Sequence, residues 1–172
     1  MVNKTNACFF ILDLPHNNFI KGVIMTKIRC YLAGGFVPFG QYKDWRDYVK
    51  ERVGDKMEFY DPRIDTDQSS IATFVYQDLR GVGSCDIVFD FVTGWGDVGE
   101  TAEDQEGNSK GKLVVLCIND GVRLVHPFLF GISRRVFMGM ETGIVYLLNL
   151  AEYGLDNEFE AIYKTKEEIE AA

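Results

Sequence analysis

The sequence predicts an α/β fold: one domain on a mostly parallel five-stranded sheet with helices on both faces. Three observations predict it. The runs Asp86 to Val92 (DIVFDFV) and Lys112 to Ile118 (KLVVLCI) are continuous, apolar and β-branched, the pattern of parallel strands covered on both sides. Segments of helical spacing alternate with the strand-like runs. A length of 172 residues, 47% of them hydrophobic, suits one domain with a real core and is short for two.

The elements follow in order. Met25-Thr26-Lys27 immediately precedes the first strong strand, so residues 1–24 read as an N-terminal extension peripheral to function, and 25–172 as the domain. Lys27 to Gly34 (KIRCYLAG) reads as a strand ending in a glycine turn. Asp44 to Val53 has Trp45, Tyr48, Val49 and Val53 at helical spacing. Lys56 to Tyr60 is a short strand stopped by Asp61-Pro62. Ser69 or Ser70 can cap a second helix running toward Val82. Between the two buried strands, Asp97 to Lys110 is the polar crossover. Ile144 to Tyr153 is a strongly apolar helix, suited to core or to a subunit interface. Thr165-Lys166-Glu167-Glu168 has the capping-box pattern and predicts a last short helix after Thr165. The order is Rossmann/flavodoxin-like. In such sheets ligands bind outside the carboxyl ends of the strands, here Gly34 to Gln41, Thr93 to Glu103 and the stretch after Asn119.

Composition excludes several classes. The 18 Lys+Arg against 26 Asp+Glu give a net charge of −8, which argues against binding a nucleic-acid backbone. With only His16 and His126, a multi-histidine metal site is impossible, and no metal is expected. Cys8, Cys30, Cys85 and Cys117 show no CxxC or zinc spacing and read as reduced core thiols of a cytoplasmic protein. No apolar stretch reaches the ~18–20 residues of a membrane span. If this is an enzyme, its chemistry runs on carboxylates.

Asp78 is the most informative position. Ile71, Phe74, Val75, Leu79 and Val82 form one apolar stripe at 100° per residue, and Asp78 falls in its middle. An ionised carboxylate there costs several kcal/mol or so unless it is paired or working. It either pairs with an arginine or a backbone group, or stands at the floor of a pocket with a pKa suited to proton transfer. Gly94 to Gly99 matches GxGxxG, but the dinucleotide motif belongs to the first strand, and Asp97 would repel a pyrophosphate. A tight turn presenting Asp97 at the strand end fits better. Glu100 to Lys110 (ETAEDQEGNSK) has almost no apolar face, and on composition alone reads as a solvated acidic segment.

Three segments together resemble the nucleoside 2-deoxyribosyltransferase family. Tyr31-Leu32-Ala33-Gly34-Gly35-Phe36 is similar to its Tyr-hydrophobic-Ala-Gly-Pro-Phe opening. Gln77-Asp78-Leu79 followed by Cys85-Asp86-Ile87-Val88 resembles its helix-to-strand segment, and Asp97-Val98-Gly99-Glu100-Thr101-Ala102-Glu103 follows D-x-G-x-x-x-E. The resemblance spans roughly residues 27 to 120. It implies Glu103 as the nucleophile on the anomeric carbon, Asp78 as the acid that protonates the departing base, and Tyr31 as the residue orienting the nucleophile. Asp97 would hold deoxyribose hydroxyls, with Gly34, Gly35 and Phe36 lining the base pocket and Phe36 stacking on the ring. Glu106 is the fallback nucleophile. His126 stands where the family's helper asparagine would be, and as a lone histidine also reads as structural.

The implied activity is transfer of 2-deoxyribose between nucleobases, in nucleoside metabolism and nucleotide salvage. The partners are a deoxynucleoside and a free base, with no cofactor, and the assembly is a dimer or higher with Ile144 to Tyr153 as an interface. The alternatives are a 2′-deoxynucleoside 5′-monophosphate N-hydrolase and a non-catalytic nucleotide-binding module. The loop Gly34 to Gln41 holds no serine to bind a phosphate, which favours nucleosides; Arg63 or Arg134 would have to serve the nucleotide alternative.

Overall fold

A computed structural model describes residues 27–94, 96 and 98–171 of the chain. The proposed extension 1–24, Cys8, His16 and Asp97 therefore lie outside the described residues. Five strands, β1 (Arg29–Ala33), β2 (Glu58–Tyr60), β3 (Ile87–Val92), β4 (Leu113–Ile118) and β5 (Arg135–Met138), form one sheet in the order β2-β1-β3-β4-β5. Every pairing is parallel. This is the flavodoxin-type order, with its reversal between β1 and β3.

The helices are α1 (Trp45–Val53), α2 (Pro62–Asp65), α3 (Ile71–Ser84), α4 (Val98–Ser109), α5 (Pro127–Ile132), α6 (Met140–Tyr153) and α7 (Glu158–Ala171). Asp44 caps α1, accepting from the Arg46 amide, and Ser70 caps α3, accepting from Thr73. Helices α1, α6 and α7 cover one face, over a core that includes Leu32, Phe89, Phe91, Val115 and Leu147. Helices α3, α4 and α5 cover the other, over Tyr31, Ala33, Val88, Val114, Leu116 and Leu129. Alternation along each strand assigns its residues to the two layers.

Three differences from the sequence expectations have physical causes. The fifth strand is Arg135–Met138, a four-residue edge strand too short to show periodicity. Helix α7 starts at Glu158 rather than after Thr165. Thr165 is buried inside it, its hydroxyl donating to the Ala161 carbonyl and accepting from Asn149, so the capping-box reading fails. On α3, Val82 and Gly81 meet the sheet, but Ile71 and Val75 are exposed, because the first turns overhang the carboxyl edge. In α6 the core reading holds: Ile144, Leu147 and Leu150 are fully buried between the sheet and α7.

No helix among the described residues is long and apolar enough to cross a membrane. Cys30, Cys85 and Cys117 are buried free thiols.

Candidate active site

The turn after β1 fixes one wall of a cleft at the reversal point of the sheet. Gly34 has φ +122°, and a Cβ there would lie 2.8 Å from the Phe91 carbonyl oxygen, so the chain needs glycine to pass β3. The turn is held from beneath by Arg46, which is only 1% exposed. Its guanidinium donates to the Leu32 carbonyl at 3.0 Å, to the Gly35 carbonyl at 3.3 Å and to the Gly34 carbonyl, while Asp44 pairs with it at 3.1 Å. The Trp45 indole also donates to the Gly35 carbonyl, at 3.0 Å. Phe36 lies over the guanidinium, 5.1 Å from ring centre to Cζ, with much of its surface open.

The cleft so framed holds about 270 Å³ and is lined by Gly34, Gly35, Phe36, Arg46, Pro62, Gln68, Phe74, Asp78, Gly99, Glu100 and Glu103. The predicted residues Asp78 and Glu103 thus share one cavity with Gly34, Gly35 and Phe36. Tyr31 sits beneath it, fully buried, and its hydroxyl donates to Glu103 Oε1 at 2.8 Å. The role given to Asp97 concerns a residue outside the described ones.

Asp78 is 8% exposed and accepts a 2.7 Å hydrogen bond from Thr66 Oγ1. Thr66 in turn lies 3.1 Å from the Tyr60 hydroxyl, and the Tyr60 ring stacks on Tyr31 at 5.3 Å. No arginine or lysine is bonded to Asp78 among the described residues, so the ion-pair reading of this acid does not apply. Burial raises its pKa, against the Thr66 hydrogen bond, the nearby Tyr31 hydroxyl and the more distant charge of Arg46. Glu103 is pushed up to about 8. Burial is the main cause, opposed by the Tyr31 hydrogen bond and reinforced by the charge of Asp78. The Tyr31 phenol is pushed far up by burial and then by the Glu103 and Asp78 charges, so it stays a donor.

Helix α4 replaces the solvated segment expected from composition. Glu100, Asp104 and Gly107 form its buried face, and Glu100 Oε1 accepts from the Gly35 amide at 2.9 Å. The sequence reading missed Arg46 and Glu100 as parts of this cleft. A signal existed for both: Arg46 shares the helical face of Val49 and Val53, and Glu100 that of Asp104 and Gly107.

The remaining expectations fall elsewhere. Glu106 pairs with Lys110 at 2.7 Å, away from the cleft. His126 caps α5, its Nδ1 accepting from the Phe128 amide at 3.3 Å, and lines a different depression. Arg63 pairs with Asp61 and Asp47, and Arg134 with Glu158, and none of these lines the cleft. Among the described residues no group of three or more His, Cys, Asp or Glu is arranged to hold a metal ion.

No family model matches the chain, and no curated protein matches it. Solved structures do. The 2-deoxyribosyltransferase of the psychrotolerant bacterium Bacillus psychrosaccharolyticus superposes with a TM-score of 0.53 at 19% identity, covering 76% of this chain and 95% of that one. The Clostridium botulinum CMP N-glycosidase BcmB gives a TM-score of 0.49 at 18% identity, over 71% of this chain and 97% of that one. At such identities the likeness is one of architecture: this chain has the α/β fold of the Bacillus 2-deoxyribosyltransferase.

Proposed function

We propose that this protein transfers 2-deoxyribose between nucleobases, cleaving the N-glycosidic bond of a 2′-deoxynucleoside through a covalent intermediate on Glu103. The observation that carries the reading is the Tyr31 hydroxyl on Glu103 Oε1 at 2.8 Å, in a cleft that also holds the buried acid Asp78. Two carboxyl groups in one desolvated site suit an oxocarbenium-like transition state. One attacks and the other manages the proton.

The steps balance with these two acids. Ionised Glu103 forms a bond to C1′ as the C1′–N bond breaks, and the electron pair leaves on the base. Protonated Asp78 donates its proton to that base. A second base then attacks C1′, its proton passes to Asp78, and the ester to Glu103 breaks. Tyr31 leaves one Glu103 oxygen free and favours the ionised form. Phe36 and Phe74 offer apolar surface to a base. Arg46 supports a nucleoside rather than a nucleotide, because carbonyls and Asp44 occupy its donors.

The test is incubation with a 2′-deoxynucleoside, with and without a second free base, followed by chromatography. A new nucleoside that disappears in Glu103→Ala supports the reading. Free base alone identifies a hydrolase, and no product in either case overturns both.

A further inference from the structure

Asp90 and Asp104 play no part in the chemistry above, yet both are 0% exposed. Asp90 is on β3 between Val88 and Val92, whose side chains enter the layer under α3, α4 and α5, so alternation puts Asp90 there too. Asp104 is on the buried face of α4, one turn before Gly107. At Gly107 the helix meets the sheet so closely that a Cβ would lie 2.6 Å from Val88 Cγ2. Along this seam Gly107 meets Val88, Asp104 lies one turn earlier on the face of α4 turned to the strand that carries Asp90, and Glu100 reaches the Gly35 amide.

None of the four Asp90 and Asp104 carboxyl oxygens receives an N–H or O–H donor from the described residues. Each carboxyl raises or lowers the proton affinity of the other, and no other polar side chain among the described residues is bonded to either. Two ionised carboxylates cannot face each other in a dry interior, whereas one proton makes one group a donor and the other its acceptor.

We infer that Asp90 and Asp104 hold one proton between them, and that this acid–carboxylate hydrogen bond clamps α4 to β3 in the register that presents Glu103 to the cleft. Asp104 precedes Glu103's next helical turn and adjoins it in sequence, so any roll or lift of α4 moves both. The pair lines no part of the cleft and is a positioning pair. Burial raises both acids, and for Asp90 the Asp104, Glu100 and Glu103 charges add to it. The other ionisable groups that act on the pair are Glu100 and Glu103 on α4, and Cys117 on β4 feels the Asp90 charge; Tyr31 on β1 and Asp78 on α3 act on Glu103 instead. Helix α5 contributes none, and Arg46 of α1 is committed to the Gly34 turn.

The clamp is tested on the whole protein in two measurements that need no turnover. Carbon-13 titration of the aspartate carboxyls is expected to show a group still protonated at neutral pH, its signal lost in Asp104→Asn. Ionisation of every aspartate by pH ~6 would overturn the inference. Amide exchange in α4, corrected for the intrinsic pH dependence, is expected to speed up in the wild type as the last proton leaves. It should stay slow in Asp104→Asn, whose amide donates to Asp90 at every pH. An equal loss of protection in both proteins would assign the effect to Glu103 and overturn the clamp.

A third measurement rests on the proposed role of Glu103. Asp104→Leu should lower kcat by up to about 100-fold with KM unchanged, and Asp104→Asn should restore it. Wild-type kcat in a folded Asp104→Leu protein would overturn the positioning role. If no variant or wild type turns over, the first two measurements still decide the clamp, and only the proposed function fails.

Discussion

The Tyr31 hydroxyl donates to Glu103 Oε1 at 2.8 Å, tying the middle of β1 to the middle of α4 across the reversal point of the sheet. This bond acts on the protonation of Glu103 as well as on its orientation. Burial pushes the carboxyl up to about 8, and the phenol partly opposes that by stabilising the charged form.

Tyr31→Phe should therefore raise the Glu103 pKa further. A hydrogen bond to a charged group contributes about 2 kcal/mol, so activity near neutral pH should fall by roughly 30-fold. The rate should recover partly as pH rises. A pH profile of kcat/KM for the two proteins checks this, and an unshifted acid limb would show that the phenol only positions the glutamate.

Asp78→Asn should move the same limb the other way. The charge of Asp78 raises the Glu103 pKa, so an amide in its place lets Glu103 ionise at lower pH. The maximal rate should still fall, because the amide cannot give a proton to the departing base; general acid catalysis contributes about 10²–10⁴-fold. A deoxynucleoside with an activated leaving base needs less protonation and should lose less. Equal losses on both substrates would remove Asp78 from the proton-transfer role.

Gly107→Ala should destabilise the protein by about 1–3 kcal/mol, the range for overpacking a filled core. The added methyl meets Val88 Cγ2 at 2.6 Å on a buried strand, and the helix must lift to admit it. Chemical denaturation measures the loss. Combining Gly107→Ala with Val88→Ala, which clears the contact, should cost less than the two single changes summed.

What could be read from the sequence divides along physical lines. The central strands β3 and β4 were legible because buried parallel strands are continuously apolar. The edge strand β5 was not, since four alternating residues carry no period. Asp78 stood out because a charge on an apolar stripe has few cheap explanations. Glu100 and Asp104 hid in a segment of many acids, where a solvated face and a buried acidic face have the same composition. Only the spacing of Glu100, Asp104 and Gly107 separates the two. Arg46 was hidden because a lysine-rich and arginine-rich amphipathic helix normally points such residues outward, whereas here the guanidinium satisfies carbonyls of the Gly34 turn.

The base of α1 carries a charge network that should govern acid stability. Asp61 is 2% exposed and binds Lys50 at 2.6 Å and Arg63 at 2.5 Å. Burial raises its pKa, but the Arg63 and Lys50 hydrogen bonds outweigh this and lower it to about 2. A depressed carboxylate stabilises the fold above its unfolded pKa, and the contribution is lost as pH falls toward 2. The unfolding free energy should fall between pH ~4 and 2, by about 2 kcal/mol for this group. Asp61→Asn should flatten that segment of the curve.

Glu103 should show the opposite dependence, which makes the proposed nucleophile measurable without any substrate. Its folded pKa, about 8, lies above the ordinary 4.5 of the unfolded chain. The folded protein thus holds a proton that the unfolded one releases, and folding is favoured below pH ~4.5 and progressively penalised up to about 8. Glu103→Gln keeps the shape and the acceptor for Tyr31 but removes the ionisation. The variant should match the wild type near pH 4.5 and become increasingly more stable than it as pH rises, with the difference levelling off above pH ~8. Subtracting the two curves cancels the titration of Asp61 and, to first order, of the Asp90–Asp104 pair. A difference that stays flat from pH 5 to 9 would mean that Glu103 is ionised throughout, with water reaching the carboxyl, and a nucleophile needing no alkaline activation would follow.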